Sequence, residues 1–212
     1  CSGLRQAIAY SIIWISLKYI KERKLLKFLA LVLIATTFHK TAIIFLPVYF
    51  LSNKKLTHKY LIIFLIVILM TFIFKLQIFN IITKLVYGNY AAIQNGGGYK
   101  LLLLLIIIFV GSLYILYKKN NKEEQEQNNI WLNMLLIGIL VQTLASIEGN
   151  IARLTMYFEY SIIFLIPNII EEIDDKKIRI FLKCIVYILL TVYFVISIQN
   201  STSYIPYKMF MF

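Results

Sequence analysis

The chain contains little cysteine and little charge, and each shortage argues against a class of protein. Only two of its 212 residues are cysteine, and only 15% are Asp, Glu, Lys or Arg, whereas soluble domains carry about 25% charged residues. Cys1 and Cys184 have no metal-ligand spacing, and Cys184 lies inside an apolar run. A disulfide scaffold and an ordinary soluble domain are therefore both disfavoured.

Patterns typical of two other classes are missing as well. The glycine cluster Gly96–Gly98 has no following Lys-Ser/Thr, so it does not match a phosphate-binding loop. No apolar segment carries paired carboxylates, which argues against a proton-coupled transporter.

The chain opens Cys-Ser-Gly without a signal-peptide pattern. We interpret residues 1–212 as a single transmembrane domain that forms the C-terminal fragment of a longer protein.

Long apolar runs are what the sequence does contain. Hydrophobic residues make up 60% of the chain, and the mean hydropathy is +0.79. Six runs have 15 to 19 residues each, close to the roughly 20 that a helix needs to cross a bilayer: Leu4–Ile20, Leu61–Phe79, Leu101–Tyr117, Ile130–Ser146, Met156–Ile170 and Ile180–Ile198. The pattern predicts an all-α, polytopic integral membrane protein with about six full spans plus one short broken hairpin.

The hairpin is predicted at Leu25–Leu51, an apolar stretch interrupted by His39 and Lys40 and flanked by basic clusters. A single helix would place those clusters on opposite sides of the membrane, whereas two arms, Leu25–Phe38 and Thr41–Leu51, return to the starting side. The arms are too short to cross a full bilayer. We therefore expect His39 and Lys40 at a turn that lines a protein-enclosed or watery cavity.

The distribution of basic residues supports the hairpin. With it, 15 of the 22 Lys and Arg residues fall on one side, which the positive-inside rule assigns to the cytoplasm. The net charge of +12 comes from short clusters beside apolar runs, so anionic lipid headgroups are expected partners and nucleic acid is not. The polar stretch Lys118–Asn129 is predicted as a solvated cytoplasmic loop. His58 lies on the cytoplasmic side, away from His39, so no histidine metal site is expected.

Ionisable residues inside membrane segments are costly unless they are paired or hydrated, so they indicate functional sites. Arg5, next to Gln6, lies at the start of the first run, where it either binds a ligand or reaches the lipid headgroups. His39 and Lys40 occupy the hairpin turn, and either a structural or a functional role is open to His39.

A second polar group precedes and opens the run Met156–Ile170. Arg153 and Tyr157 are four residues apart and share a helix face, so both can address one ligand. Glu159 points elsewhere and requires a partner on another helix, while Glu148 lies in the preceding loop. A structural Arg-Glu network is the alternative interpretation of this group.

Four elements of the sequence resemble a known family. These are Leu4–Ala9, which contains Arg-Gln; Leu33–Ile43, which contains Phe-His-Lys-Thr-Ala; Arg153–Phe158, which ends in Tyr-Phe; and the Pro-Tyr of Ile205–Tyr207. They look like corresponding elements of the EpsG family, bacterial membrane proteins allied to Wzy-like polysaccharide polymerases. The resemblance covers essentially the whole chain as the family's C-terminal part.

The resemblance implies a multi-pass protein of the bacterial cytoplasmic (inner) membrane that acts in exopolysaccharide, capsule or O-antigen-like synthesis. Its expected activity is of the glycosyltransferase type, joining oligosaccharide repeat units carried on undecaprenyl diphosphate, with no cofactor and no metal. Other polysaccharide-synthesis proteins are possible partners.

Candidate roles follow from that chemistry. Arginine pairs well with a diphosphate. Arg5, Gln6, Lys40, Arg153 and Tyr157 are therefore candidates to bind diphosphate or sugar. His39, Glu148 or Glu159 is the candidate general base. A lipid-linked oligosaccharide flippase, a polysaccharide-modifying acyltransferase and a non-catalytic synthase subunit remain alternatives.

Overall fold

A computed structural model describes residues 2–87, 98–119, 122–147 and 151–199. These residues are almost entirely helical, and no strand occurs among them. The helices are α1 (Ser2–Lys21), α2 (Leu25–Phe38), α3 (Val48–Leu51), α4 (His58–Ile73), α5 (Lys75–Tyr87), α6 (Tyr99–Lys119), α7 (Lys122–Leu144), α8 (Ala152–Glu159), α9 (Ser161–Glu171) and α10 (Lys176–Gln199). A 3-10 helix over Lys40–Phe45 precedes α3.

The chain reverses direction at His39, where the hairpin turn was predicted. α2 ends at Phe38, His39 is extended (φ −146°, ψ 109°), and the 3-10 helix begins at Lys40. The ring of Phe28, near the start of α2, lies 6.2 Å from that of Phe45 and 5.1 Å from that of Tyr49. Because Phe45 and Tyr49 lie late in the returning arm, the two arms pack antiparallel.

Helix α7 lies at the centre of the first of two compact units, residues 1–167. Its side chains from Ile130 onward are buried on all faces, as expected of a helix surrounded by protein. It packs against α3, α4, α5, α6 and α8. A Cβ on Gly138 would approach the Cβ of Phe158 to 3.0 Å, so glycine permits the close approach of α7 and α8.

Asn133 on α7 ties several elements together through its fully buried amide. The amide nitrogen donates to the carbonyls of Ser52 (3.2 Å), Lys54 (2.8 Å) and Asn129 (2.8 Å). The amide oxygen accepts a hydrogen bond from the Tyr60 hydroxyl at 2.9 Å. This Asn133 network fixes the returning end of the hairpin and the start of α4 against α7.

The structure does not confirm six full spans. Among the described residues, two helices are long and apolar enough to cross a membrane, at Tyr99–Lys118 and Lys176–Ile196. A third is added if α4 and the first part of α5 count as one span, although they meet at 81°. The predicted run Leu61–Phe79 is thus bent at Phe74, and Met156–Ile170 is interrupted at Tyr160.

A segment predicted as a loop is helical instead, and one helix extends beyond a predicted apolar run. The polar stretch 118–129 contains the end of α6 and the start of α7, which begins at Lys122. Its Lys, Glu and Gln residues are good helix formers, and this preference outweighs their polarity. Likewise α5 continues to Tyr87, beyond the predicted end of the run Leu61–Phe79.

The second unit begins at Asn168. Within it, Glu171 accepts a hydrogen bond at 3.3 Å from Arg179 and a second from Lys183, both of which lie on the first turns of α10. The Arg179 guanidinium also donates to the Ile173 carbonyl at 2.7 Å. These contacts hold the connection between α9 and α10 together.

Candidate functional site

The start of α1 is held against the start of α8 by hydrogen bonds to one carbonyl. The Tyr10 hydroxyl donates to the Arg153 carbonyl at 2.6 Å, and the Gln6 amide donates to it at 3.3 Å. Gln6 also donates to the Tyr10 hydroxyl. Gln6 and Tyr10 are buried, whereas the Arg153 side chain is exposed. The backbone of Arg153 is therefore fixed while its guanidinium faces outward from the protein.

His39 lies beside the same end of α8. It is half-buried in the turn between the two hairpin arms, outside the spanning segments. Burial, and then the nearby Arg153 guanidinium, lower the pKa of the His39 imidazole below its usual value of 6.5. The imidazole is consequently neutral at neutral pH, the form that can accept a proton.

Two further predicted cations belong to segments that meet here. Arg5 adjoins Gln6 on α1, and Lys40 follows His39; both side chains are exposed. Since α1 and α8 both contact the 3-10 helix that begins at Lys40, the segments that carry Arg5, Lys40 and Arg153 converge. The structure thus brings together the segments that carry these three predicted binding residues, and the Arg153 guanidinium acts electrostatically on His39.

Tyr157 is one turn further along α8 from Arg153, but it is only 1% exposed. Its ring packs edge-on against Tyr10, with the centroids 4.3 Å apart. Its hydroxyl faces that of Thr41, yet neither oxygen completes a hydrogen bond of normal geometry among the described residues. The Arg153 side chain is therefore exposed, whereas the Tyr157 side chain, one turn further along α8, is buried inside the protein.

Of the two glutamates that are candidate bases, the structure describes one, Glu159. Glu159 is half-buried and acts electrostatically on Tyr10 and Tyr160, and its Oε1 atom has no hydrogen-bond partner in the described part of the chain. Glu148 lies outside the described residues, as does the closing Pro-Tyr element at Ile205–Tyr207.

Hydrogen bonds of Gln142, a residue of α7, also hold α8 in place. Gln142 is 1% exposed; its Oε1 accepts a hydrogen bond from the Thr155 hydroxyl at 2.7 Å, and its Nε2 donates to the Gly98 carbonyl at 3.1 Å. Thr155 lies between Arg153 and Tyr157 in sequence. Gln142 therefore fixes the α8 turn that carries both predicted ligand-binding residues.

The sequence prediction missed Tyr10 and Thr41. Tyr10 follows Gln6 by four residues, so helical spacing could have found it. Thr41 follows His39 by two residues in a 3-10 helix, and no sequence pattern marked that hydroxyl as facing Tyr157. Among the described residues, no group of three His, Cys, Asp or Glu side chains could hold a metal ion.

These features describe an all-helical protein with a candidate cationic, histidine-containing site at the turn of a broken hairpin. The sequence model of the EpsG family matches residues 1–209. The chain belongs to the EpsG family, and it is a membrane protein of polysaccharide biosynthesis. No curated protein and no solved structure matches it.

Proposed function

We propose that the protein polymerises oligosaccharide repeat units carried on undecaprenyl diphosphate, at the outer face of the bacterial cytoplasmic membrane. The observation that carries this proposal is that the exposed Arg153 guanidinium acts on half-buried His39, where the segments that carry exposed Arg5 and Lys40 also meet. Exposed cations suit the binding of a diphosphate group that stays at the lipid surface. An imidazole beside them suits deprotonation of a sugar hydroxyl.

In the reaction, the hydroxyl of one repeat unit attacks the anomeric carbon of the sugar linked to the diphosphate of another. A new glycosidic C–O bond forms, the bond between that carbon and the diphosphate oxygen breaks, and its electron pair leaves with undecaprenyl diphosphate. The hydroxyl proton passes to His39. Arg153, with Arg5 and Lys40, stabilises the charge that develops on the diphosphate.

His39 is the preferred base of the three candidates because it lies half-buried at the hairpin turn beside the exposed Arg153 guanidinium. A base with a lowered pKa remains active as the pH falls, until the pH passes through that lowered value. Glu159 is enclosed next to Tyr10 and Tyr160, which suits it less for meeting an acceptor sugar.

The proposed orientation places the dense basic clusters in the cytoplasm and the His39 turn outside, following the positive-inside rule. The proposal includes six crossings. α1, α7 and the α8–α9 pair would be crossings in addition to the long apolar helices, and α7 packs largely against protein. Other polysaccharide-synthesis proteins are proposed partners that supply the lipid-linked units.

Complementation of a deletion strain with the full-length protein tests the proposal. Variants Arg153→Ala and His39→Ala should each reduce polymerisation by about 100-fold or more, leaving single repeat units exposed outside the membrane and protein levels unchanged. Arg179→Ala, which removes an arginine bound to Glu171 in the second unit, is the matched control and should support full-length polymer.

Two outcomes would contradict the proposal. Wild-type polymer from both site variants would show that neither residue takes part. Repeat units that accumulate inside the cell rather than outside would instead indicate a flippase.

A further inference from the structure

Helix α5 turns sharply away from α4. The two helices meet at 81°, at Phe74. α4 has 16 residues, which span about 24 Å of a hydrocarbon core that is roughly 30 Å thick. If α4 crosses from the cytoplasmic side, as the proposed orientation has it, α5 begins about 6 Å short of the outer edge of that core. It then runs close to the membrane plane instead of completing the crossing.

Lys75, the first residue of α5, holds this bend in place. Its Nζ donates to the Ser146 hydroxyl, just after α7, at 3.1 Å and to the Tyr99 hydroxyl, at the start of α6, at 3.3 Å. The same nitrogen lies 5.0 Å from the centre of the Phe72 ring. Ammonium groups and tyrosine rings are both favoured where a membrane meets water. The contacts of Lys75 therefore indicate that the bend lies near the membrane surface and not in the middle of the bilayer.

The described side chains of α5 fall on three faces of the helix. Phe79 is 5% exposed and shares one face with Lys75, and α5 packs against α7. Ile78 and Ile81 form a second, apolar face, on which Ile81 is 60% exposed. Leu76 is exposed as well and lies between the Phe79 face and the third face. That third face is polar and exposed, and its residues follow one another at helical spacing: Gln77, Asn80 and Lys84. The centres of the apolar and polar faces are about 100° apart around the helix axis.

We propose that α5 is an interfacial helix that rests on the outer leaflet, and that its partner is the phospholipid surface. Ile78 and Ile81 enter the boundary between headgroups and acyl chains, Phe79 faces the protein, and Gln77 and Lys84 face water. Lys84 is positively charged and lies where the phosphate groups of anionic lipids are found. The choice of the outer leaflet rests on the orientation given with the proposed function, whereas the flat position of α5 does not depend on the proposed reaction.

Lipid is the expected occupant because lipid also covers the neighbouring helix. α4 exposes apolar side chains up to the bend, where Ile73 is 66% exposed. Lipid that surrounds α4 therefore reaches the beginning of α5. A helix with one apolar and one polar face, as α5 has, fits the boundary between acyl chains and water.

The test measures the membrane depth of nitroxide spin labels on the full-length protein in nanodiscs of phosphatidylethanolamine and phosphatidylglycerol. The labels are attached to Gln77→Cys, Ile81→Cys or Lys84→Cys in a background without Cys1 and Cys184. Collisions with oxygen and with a water-soluble nickel chelate report the depth. The labels at positions 77 and 84 should lie at equal depth within about 3 Å and be open to the nickel chelate. The label at position 81 should lie about 5–10 Å deeper and collide mainly with oxygen.

α4 supplies a matched control. Ile66→Cys and Ile73→Cys have the same separation along the chain as Gln77→Cys and Lys84→Cys, and all four positions are exposed. Because α4 crosses the membrane, the labels at positions 66 and 73 should differ in depth by about 10 Å, at 1.5 Å per residue. This pair shows what a crossing helix gives in the same assay.

The leaflet is tested in intact cells. Gln77→Cys should react with a membrane-impermeant thiol reagent that is added outside. Reaction only after the cells are opened would assign α5 to the inner leaflet and overturn that part of the inference.

Three results of the depth measurement would overturn the inference as a whole. Labels at positions 77 and 84 that differ in depth by about 10 Å would show that α5 continues the crossing. A label at position 81 that is as open to the nickel chelate as the one at position 77 would place that side chain in water. A label at position 81 that neither reagent reaches would show that a second copy or another protein covers it.

These results do not depend on polymer synthesis. Wild-type polymer from Arg153→Ala would contradict the proposed function and leave the depth profile of α5 unchanged. The two failures are therefore distinguishable.

Discussion

Two polar clusters in the first unit differ in how their hydrogen bonds are completed. In the Asn133 network, every polar atom of the amide has a protein partner. At Tyr157 and Thr41, the two hydroxyls face only each other, and neither oxygen makes a hydrogen bond of normal geometry among the described residues. A completed network stabilises the fold, whereas the Tyr157 and Thr41 pair lies in the candidate site, one helical turn from Arg153 and beside Lys40. The two clusters thus differ in how completely their buried polar atoms are partnered.

The largest expected effect on stability comes from breaking the complete network. Asn133→Ala removes the buried amide and leaves its partners, which include the Ser52 and Lys54 carbonyls, without hydrogen bonds. We expect the free energy of unfolding to fall by about 3 kcal/mol, measured by chemical unfolding in detergent micelles.

The neighbouring variant Asn129→Ala is the control, since Asn129 contributes its backbone carbonyl to the network and keeps that carbonyl after substitution. It should change stability by less than about 1 kcal/mol. If Asn133→Ala unfolds at the wild-type denaturant concentration, the network does not hold the hairpin against α7.

A second, smaller effect should come from the support behind α8. Gly98 has φ +126°, and a Cβ there would lie 2.7 Å from Nε2 of Gln142. Gly98→Ala should therefore lower the free energy of unfolding by about 2 kcal/mol, from backbone strain and displacement of Gln142, in the same unfolding assay.

Gly111 offers a matched control because a Cβ there would meet nothing within 4 Å. It lies within α6, where alanine is the better helix former, so Gly111→Ala should raise stability by about 0.5–1 kcal/mol. Equal stability of the two alanine variants would contradict the role given to Gly98 and Gln142.

The smallest effect concerns an exposed ion pair in the connection between α1 and α2. A hydrogen bond from Lys24 at 2.7 Å lowers the pKa of the Glu22 carboxyl. A lowered carboxyl pKa contributes stability above its ordinary value of 4.5, and this contribution is lost as the pH falls through the lowered value. Because the pair is exposed and screened by salt, Glu22→Gln should leave the unfolding midpoint unchanged between pH 4 and 7 within error. A midpoint that falls with pH in the wild type but not in Glu22→Gln would show that the pair matters more.

Much of the fold was predictable because the lengths of the apolar runs and the positions of the charged clusters are local properties of the sequence. The interruption at His39 between basic clusters predicted a chain reversal, and the ring contacts of Phe28 confirm that the arms pack together. The bend at Phe74 was not predictable, because no proline or glycine occurs there. The break at Tyr160 likewise lies inside a continuous apolar run. Both depend on packing against neighbouring helices rather than on local sequence.

The ionisable residues of the candidate site could be singled out from the sequence. Arg5, His39, Lys40 and Arg153 stand out because ionisable residues are rare in apolar segments. Tyr10 and Thr41 do not stand out, since neutral hydroxyls occur throughout the chain and only the folded arrangement shows which of them have partners.

The most direct test of the account is whether the hairpin turn and the start of α8 share the outer surface. In a background without Cys1 and Cys184, single cysteines at Lys40→Cys and Arg153→Cys should both react with a membrane-impermeant thiol reagent added to intact cells. Lys54→Cys should react only after the cells are opened. Labelling of positions 40 and 153 from opposite sides, or of both from inside only, would contradict the proposed site.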